Sequence, residues 1–164
     1  MNLIIAAYAG TGKTHFASLY PQKVIDFVCM PYKYHLDHKT IFDESSKADF
    51  NDTLNVNWPS NYVSAIKEYL NYNKIILIPS DLFVLKLLRK ENIEYTLCYP
   101  KRDDKEIYLK RYINRCNNEY FIDIFIGNWD NFMDAFMNDT FGKHIILESN
   151  QYLSDAIDVS TYYM

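Results

Sequence analysis

The chain has 164 residues, of which 49% are hydrophobic and 23% are charged, and its net charge is −4 with a pI of about 5.5. This composition matches an ordinary folded domain and excludes a disordered or fibrous protein. An acidic chain has no broad positive surface to neutralise phosphates, so we do not expect a nucleic-acid partner.

The N-terminal apolar run, residues 3–7, is too short for the core of a signal peptide and lacks a basic leader. No stretch reaches the roughly 20 apolar residues that a membrane span requires. We therefore expect a cytoplasmic protein with no membrane partner. Cys29, Cys98 and Cys116 are widely spaced and form no CxxC pair, which indicates buried or incidental thiols and neither a disulfide framework nor a zinc site.

Short β-branched runs alternate with longer helical patterns, which is typical of βαβ units in a parallel sheet covered by helices on both faces. Strands are predicted at residues 2–7, 24–27, 74–79, 95–99 and 144–148. Helices are predicted at residues 12–19, 60–72, 80–91, 103–116, 119–126 and 129–136, with Ser60 and Ser80 as caps. The apolar runs 75–78 and 145–147 indicate strands buried on both faces. We predict one α/β domain over residues 1–164, with three layers and a mainly five-stranded parallel sheet.

Residues 7–14, Ala-Tyr-Ala-Gly-Thr-Gly-Lys-Thr, lie between the first strand and the first helix. They match the phosphate-binding pattern GxxxxGK[ST] except at Ala7, where the pattern has glycine. In such a loop, backbone N–H groups and a lysine hold the phosphates, and the final hydroxyl binds Mg²⁺. The pattern predicts ATP and Mg²⁺ as cofactors, with Thr14 as a metal ligand. The predicted nucleotide-binding residues are Tyr8, Ala9, Gly10, Thr11, Gly12, Lys13, Thr14 and His15.

With Gly10 included, the loop resembles the GxxGxGK[ST] variant of the small P-loop kinases, the group of adenylate, shikimate and gluconate kinase-like enzymes. The chain also resembles small kinase-like P-loop proteins of bacteriophages and prophages, in which a segment like residues 151–155, Gln-Tyr-Leu-Ser-Asp, follows the last strand. The resemblance implies a P-loop NTPase fold and transfer of a phosphoryl group from ATP. It implies no established acceptor.

Phosphoryl transfer needs a carboxylate at the carboxyl edge of the sheet to hold Mg²⁺ or orient the nucleophile. Asp26 ends the second predicted strand, and the resemblance to shikimate kinase-like enzymes implies that it contacts substrate or metal. Asp81 follows the third strand near the place of a Walker B acid, although Pro79 and Ser80 intervene. The alternative for Asp81 is a charge that stabilises the start of a helix.

Arg111 and Arg115 lie four residues apart on one face of the helix predicted at 103–116. The resemblance implies that arginines of a lid, here residues 101–128, close over the phosphates and act in catalysis. The alternative is a solvated helix face whose opposite side packs inward through Ile107, Tyr108, Leu109 and Tyr112. Tyr152, after the last strand, either stacks on the adenine or anchors the C-terminal helix.

An insertion at residues 29–58 has no clear period and mixes polar residues with aromatics. The spacing of its acidic and histidine side chains, His35, Asp37, His38 and Asp43, matches no zinc pattern, and we interpret it as a polar insertion on the substrate side. Its aromatics are candidates for a substrate lid: Tyr32, Tyr34, Phe42 and Phe50.

Two functions remain open from the sequence. The first is an ATP-dependent kinase that transfers the γ-phosphoryl group to a small acceptor, such as a nucleotide or nucleoside, with Lys13, Asp26, Arg111 and Arg115 as catalytic residues. The second is a nucleotide-binding or ATP-hydrolysing regulatory module without small-molecule kinase activity. The site decides between them, because fold alone does not specify function.

Overall fold

The structure is a computed structural model that describes residues 3–35 and 53–162. A five-stranded sheet forms its centre, with strand order β2-β5-β1-β6-β7 and all neighbouring strands parallel. A small antiparallel pair of strands, β3 and β4, lies outside this sheet. Within these described residues the strands are β1 Leu3–Ala7, β2 Val24–Asp26, β3 Tyr34–His35, β4 Thr53–Leu54, β5 Ile75–Pro79, β6 Thr96–Pro100 and β7 Lys143–Leu147. The prediction of an α/β protein with a five-stranded parallel sheet is confirmed.

Helices connect the strands. The α-helices are α1 Lys13–Leu19, α2 Met30–Lys33, α3 Ser60–Tyr69, α4 Leu82–Lys90, α5 Lys105–Asn114, α6 Glu119–Ile122, α7 Trp129–Met137 and α8 Leu153–Ala156. Short 3-10 turns cover Leu70–Tyr72, Arg102–Asp104 and Val159–Tyr162, and a π-helical turn covers Asp123–Gly127. None of the helices within residues 3–35 and 53–162 combines the length and apolar character that crossing a membrane demands.

The predicted helix caps at Ser60 and Ser80 are wrong. Helix α4 begins one residue later than a Ser80 cap requires, and the Asp81 carboxylate accepts the N–H groups of Phe83 at 2.9 Å and Val84 at 3.3 Å. Ser60 is itself the first residue of α3 and follows Pro59 at the cap position, which makes no side-chain hydrogen bond. A carboxylate in extended backbone satisfies the free N–H groups of a first turn, and Asp81 has that conformation.

The sheet is covered on both faces because successive side chains of a strand point to opposite sides. On one face, Ile4 and Ala6 of β1 join a core that includes aromatic residues of α5 and α7. On the other, Ile5 and Ala7 join a smaller core with Phe16 of α1 and residues near the C-terminus. The sheet therefore lies between two layers of helices, and its central strand, β1, leads directly into the glycine-containing loop.

Strand β7 differs from the prediction that the run 145–147 is buried on both faces. β7 is an edge strand whose one partner in the sheet is β6. Ile146 is 50% exposed, Ile145 is partly exposed, and Leu147 is buried. An apolar run indicates a strand but does not give its place in the sheet, and the helix layers cover an edge strand less completely than a central one.

The ends of the predicted insertion are joined by the β3–β4 pair. Tyr32, at the start of the insertion, packs against Phe27 and Tyr62 with ring centroids 5.4 Å apart in both cases, so it contributes to the core. Tyr34 lines the cavity described below. Several residues of the predicted polar cluster and substrate lid lie outside the described residues: Asp37, His38, Phe42, Asp43 and Phe50.

Candidate functional site

The loop between β1 and α1, residues 8–12, is called the glycine loop below. Gly10 and Gly12 have φ angles of 80° and 90°, in the left-handed region that residues with a Cβ rarely adopt. A Cβ at Gly10 would also lie 2.8 Å from Cε1 of Tyr112, and one at Gly12 would lie 3.1 Å from Cδ1 of Tyr152. Both glycines are therefore required by the backbone conformation and by close neighbours.

Neither Tyr8 nor Thr11 of the glycine loop lines the cavity, and both side chains pack inward. Tyr8 is fully buried, its hydroxyl donates to the carbonyl of Phe125, and its ring packs edge-on against Trp129. Thr11 is also fully buried, and its hydroxyl donates to the Tyr8 carbonyl at 2.7 Å. Ala7, just before the loop, is not among the described residues with positive φ, so alanine is compatible with the backbone there.

Three polar side chains lie near the carboxyl ends of β1 and β2. The Lys13 ammonium donates to the carbonyl of Ala7 at 3.3 Å, which folds the side chain back over the loop. The Thr14 hydroxyl donates to Oδ2 of Asp26 at 2.7 Å. Asp26 and Thr14, predicted from the sequence as metal ligands, thus offer adjacent oxygens, the ligand type that Mg²⁺ prefers.

Helix α5 packs directly on the glycine loop through Arg111 and Tyr112. The Tyr112 hydroxyl donates to the Ala9 carbonyl at 2.8 Å. The guanidinium of Arg111 donates to the Gly10 carbonyl at 3.1 Å and, across the cavity rim, to the carbonyls of Ser149 and Gln151 at 3.2 and 3.3 Å. Arg111 therefore joins the loop, α5 and the segment after β7.

Aromatic rings enclose the same guanidinium from two sides. Its central carbon lies 4.5 Å from the ring centroid of Tyr108 and 4.1 Å from that of Tyr152. Such cation–π contacts stabilise a cation that is partly removed from water. Tyr152, which was predicted either to stack on adenine or to anchor the C-terminal helix, here stacks on Arg111 and covers Gly12. Arg115, one turn after Arg111, is exposed and lines the cavity.

The glycine loop forms one wall of a cavity of about 820 Å³, within the range of small-molecule sites in proteins. Lys13, Thr14 and His15 lie on this wall, and Arg111 and Arg115 line the cavity from α5. The remaining walls come from the end of β5, from the start of α4, from the start of the predicted insertion and from the π-helical turn. The glycine loop and the predicted lid therefore border the same cavity.

Lys33 and Asp81 form an ion pair on the cavity wall, with Nζ 2.9 Å from Oδ2. Burial alone lowers the pKa of Lys33, but the neighbouring Asp81 carboxylate outweighs this effect and the pKa is raised, so the ammonium stays charged. The ammonium also lies 5.3 Å from the ring centroid of Trp58. Both Asp81 oxygens have partners, because Oδ2 accepts from Lys33 and Oδ1 caps α4. Asp81 thus acts as a helix cap and a partner for Lys33, and its predicted role as a metal ligand stays a prediction.

Sequence reasoning missed Lys33 and Tyr112. Lys33 lies in an aperiodic segment, where no pattern indicates which way a side chain points. Tyr112 was expected to pack inward, but no local pattern indicates that its hydroxyl reaches the glycine loop 103 residues away. No cluster of three or more His, Cys, Asp or Glu side chains that could hold a metal occurs in the described part of the chain.

The chain was compared with protein-family models, curated proteins and solved structures, and none of the three comparisons finds a match.

Proposed function

We propose that the protein binds ATP with Mg²⁺ at the glycine loop and transfers the γ-phosphoryl group to a small acceptor in the adjoining cavity. The observation that carries this proposal is the grouping at the carboxyl edge of the sheet: a loop with two left-handed glycines, Lys13 at the helix start, and Thr14 hydrogen-bonded to Asp26. Ligands of open parallel sheets bind at this edge.

Each part of the grouping has a task in phosphate binding. The first N–H groups of a helix have no carbonyl partner within the helix, so those of α1 are suited to phosphate oxygens. Lys13 can exchange its contact with Ala7 for the β- and γ-phosphates, because a charge-assisted bond to phosphate is stronger than a bond to a carbonyl. The oxygens of Thr14 and Asp26 would hold Mg²⁺, which neutralises charge on the phosphates.

In the proposed transfer, the acceptor hydroxyl oxygen forms a bond to the γ-phosphorus. The bond between the γ-phosphorus and the bridging oxygen breaks, and its electron pair leaves with ADP. The hydroxyl proton passes to water. Arg115 is the cation placed to follow the charge of the transferring group, since it lines the cavity and is exposed.

A second candidate is a nucleotide-binding regulatory module that does not transfer the phosphoryl group. The contacts of Arg111 favour it, because this predicted catalytic arginine already donates to three backbone carbonyls and is enclosed by Tyr108 and Tyr152. An arginine held in this way positions the loop and does not reach a phosphate unless these contacts break.

The experiment measures thermal stability with and without Mg²⁺ and millimolar ATP. At a concentration 100 times Kd, a ligand that binds only the native state adds about 2.7 kcal/mol, which raises Tm by roughly 5–10 °C for a chain of this size. Lys13→Ala should abolish the shift, while Lys90→Ala, an exposed lysine of α4 outside the cavity, should keep it. If wild type shows no shift, nucleotide binding at this loop is refuted.

Acceptor-dependent ADP formation then separates the two candidates. Asp26→Asn keeps the shape of the side chain and loses its charge, so it should reduce turnover much more than stability. Asp103→Asn, at an exposed position away from the cavity, is the matched control. ATP binding without ADP formation for any acceptor, including those tested below, would favour the regulatory module.

A further inference from the structure

Four lysine and arginine side chains line the cavity, and they differ in how many partners each cation already has within the protein. Lys33 is paired with Asp81. Arg111 is held by three carbonyls and two rings. Two cations remain to bind a triphosphate. Lys13 has one long contact to a carbonyl, and Arg115 is exposed on the wall. The described residues therefore leave no further cation on the cavity wall to hold a second anion.

The thiol on this wall adds no charge. Burial raises the pKa of Cys29 to about 11, so it is protonated at neutral pH. Beside it, the Lys33 ammonium has three N–H donors, of which one is used by Asp81. The pair is neutral as a whole, yet it can donate hydrogen bonds to a carbonyl, a hydroxyl or a ring nitrogen in the cavity. It is suited to an uncharged polar group.

Aromatic side chains form the wall next to this pair. Phe83, in the first turn of α4, is 67% exposed although it lines the cavity. Tyr34, Tyr120 and Phe121 line the same space. Large apolar surface left accessible inside a cavity indicates a ligand that covers it, and flat rings are the natural partners of aromatic side chains.

From these three observations we propose that the acceptor is an uncharged compound with a flat heteroaromatic ring and a free hydroxyl, the chemistry of a nucleoside without its phosphate. Its ring lies against the aromatic wall, and the Lys33–Asp81 pair binds its polar edge. A nucleoside monophosphate is disfavoured, because among the residues that the structure describes its two negative charges would find no unpaired cation beyond those that the triphosphate uses. This inference rests on the proposed function, since it places ATP at the glycine loop.

The test measures binding of adenosine, guanosine, cytidine, uridine and thymidine, and of their 5′-monophosphates, to protein saturated with Mg²⁺ and a non-hydrolysable ATP analogue. Calorimetry gives the affinities, and a thermal shift gives an independent measure. At least one nucleoside should bind at least ten-fold more tightly than its monophosphate. Tighter binding of the monophosphate would overturn the inference, and so would the absence of any nucleoside binding.

Two variants locate the site. Phe83→Ala removes an exposed ring and should weaken nucleoside binding at least five-fold; Tyr72→Ala, an aromatic of similar exposure at 65% outside the cavity, is the control. Lys33→Met should weaken nucleoside binding at least ten-fold, whereas Lys67→Met, which removes a lysine paired with Glu91 away from the cavity, should not. Unchanged nucleoside binding in both cavity variants would overturn the assignment of this wall.

The nucleotide site is measured separately in every variant by the Mg²⁺-ATP thermal shift. If that shift persists while no nucleoside binds, the acceptor inference fails and the proposed nucleotide site stands. If the shift is absent in wild type, the proposed function itself fails. The two failures are thereby distinguished.

Discussion

Gly10→Ala is the substitution for which the structure gives the largest expected effect at the glycine loop. At φ 80°, a residue with a Cβ costs roughly 1–2 kcal/mol relative to glycine. The new Cβ would also lie 2.8 Å from Cε1 of Tyr112, and inserting a methyl group into such a packed site typically costs about 1–3 kcal/mol. The two effects together give about 2–5 kcal/mol.

Tyr112 cannot easily move to relieve this contact. Its ring is fully buried, and its hydroxyl donates to the carbonyl of Ala9 within the same loop. A shift of the ring would break that hydrogen bond, and a shift of the loop would displace the Gly10 carbonyl from Arg111. The strain is therefore expected to affect both the free energy of unfolding and the shape of the proposed nucleotide site.

The assay is urea denaturation followed by circular dichroism, together with a thermal scan. A loss of about 2–5 kcal/mol should lower Tm by roughly 5–20 °C, and the Mg²⁺-ATP shift should disappear in the folded variant. Gly127→Ala is the matched control, because its new Cβ would meet no atom within 4 Å and its φ is not positive. Equal stability of the two variants would refute the conformation and packing assigned to Gly10.

Two further predictions concern regions outside the site. Burial alone would raise the pKa of Asp139, but hydrogen bonds from Gly142 and neighbouring groups and the charge of Arg89 outweigh it, so the pKa is lowered. The carboxylate therefore stabilises the fold above its unfolded pKa of about 3.9. This contribution is lost as the pH falls below that value. Asp139→Asn should cost about 1–3 kcal/mol at pH 7, and its difference from wild type should shrink towards pH 3 in urea titrations; a constant difference contradicts the assignment. Ile146→Ala, at an edge position that is 50% exposed, should cost under about 1 kcal/mol, whereas Ile76→Ala, fully buried in the central sheet, should cost about 2–5 kcal/mol; equal losses would place β7 in the interior.

The strands and the loop were predictable because their signals are local. Buried parallel strands appear as short β-branched runs, and all five predicted main-sheet strands match observed strands to within one residue at every end. The glycine spacing before Lys13 predicted a strand-to-helix loop, and the two left-handed glycines occur at Gly10 and Gly12. These features depend on neighbouring residues in the sequence, so one sequence is sufficient to find them.

The contacts that complete the site depend on residues far apart in the chain. Lys33 pairs with Asp81 across 48 positions, and Arg111 reaches the Gly10 carbonyl across 101. Neither contact leaves a periodic signal, because each involves one side chain and one distant partner. The same limitation explains why the burial of β7 was predicted wrongly, since an apolar run is equally compatible with a central strand and an edge strand.

The contacts of Arg111 argue against a lid whose Arg111 side chain is free to close over the phosphates. An arginine that closes over phosphates must be free of strong contacts in the open state, whereas Arg111 is bound to carbonyls of the glycine loop and of the segment after β7. Any movement of α5 is then transmitted to the loop that would hold the phosphates. In the proposed function, a substitution at Arg111 is therefore expected to alter nucleotide affinity and turnover together. Arg115 is exposed at the cavity wall, and its substitution is expected to report on the transferring group separately.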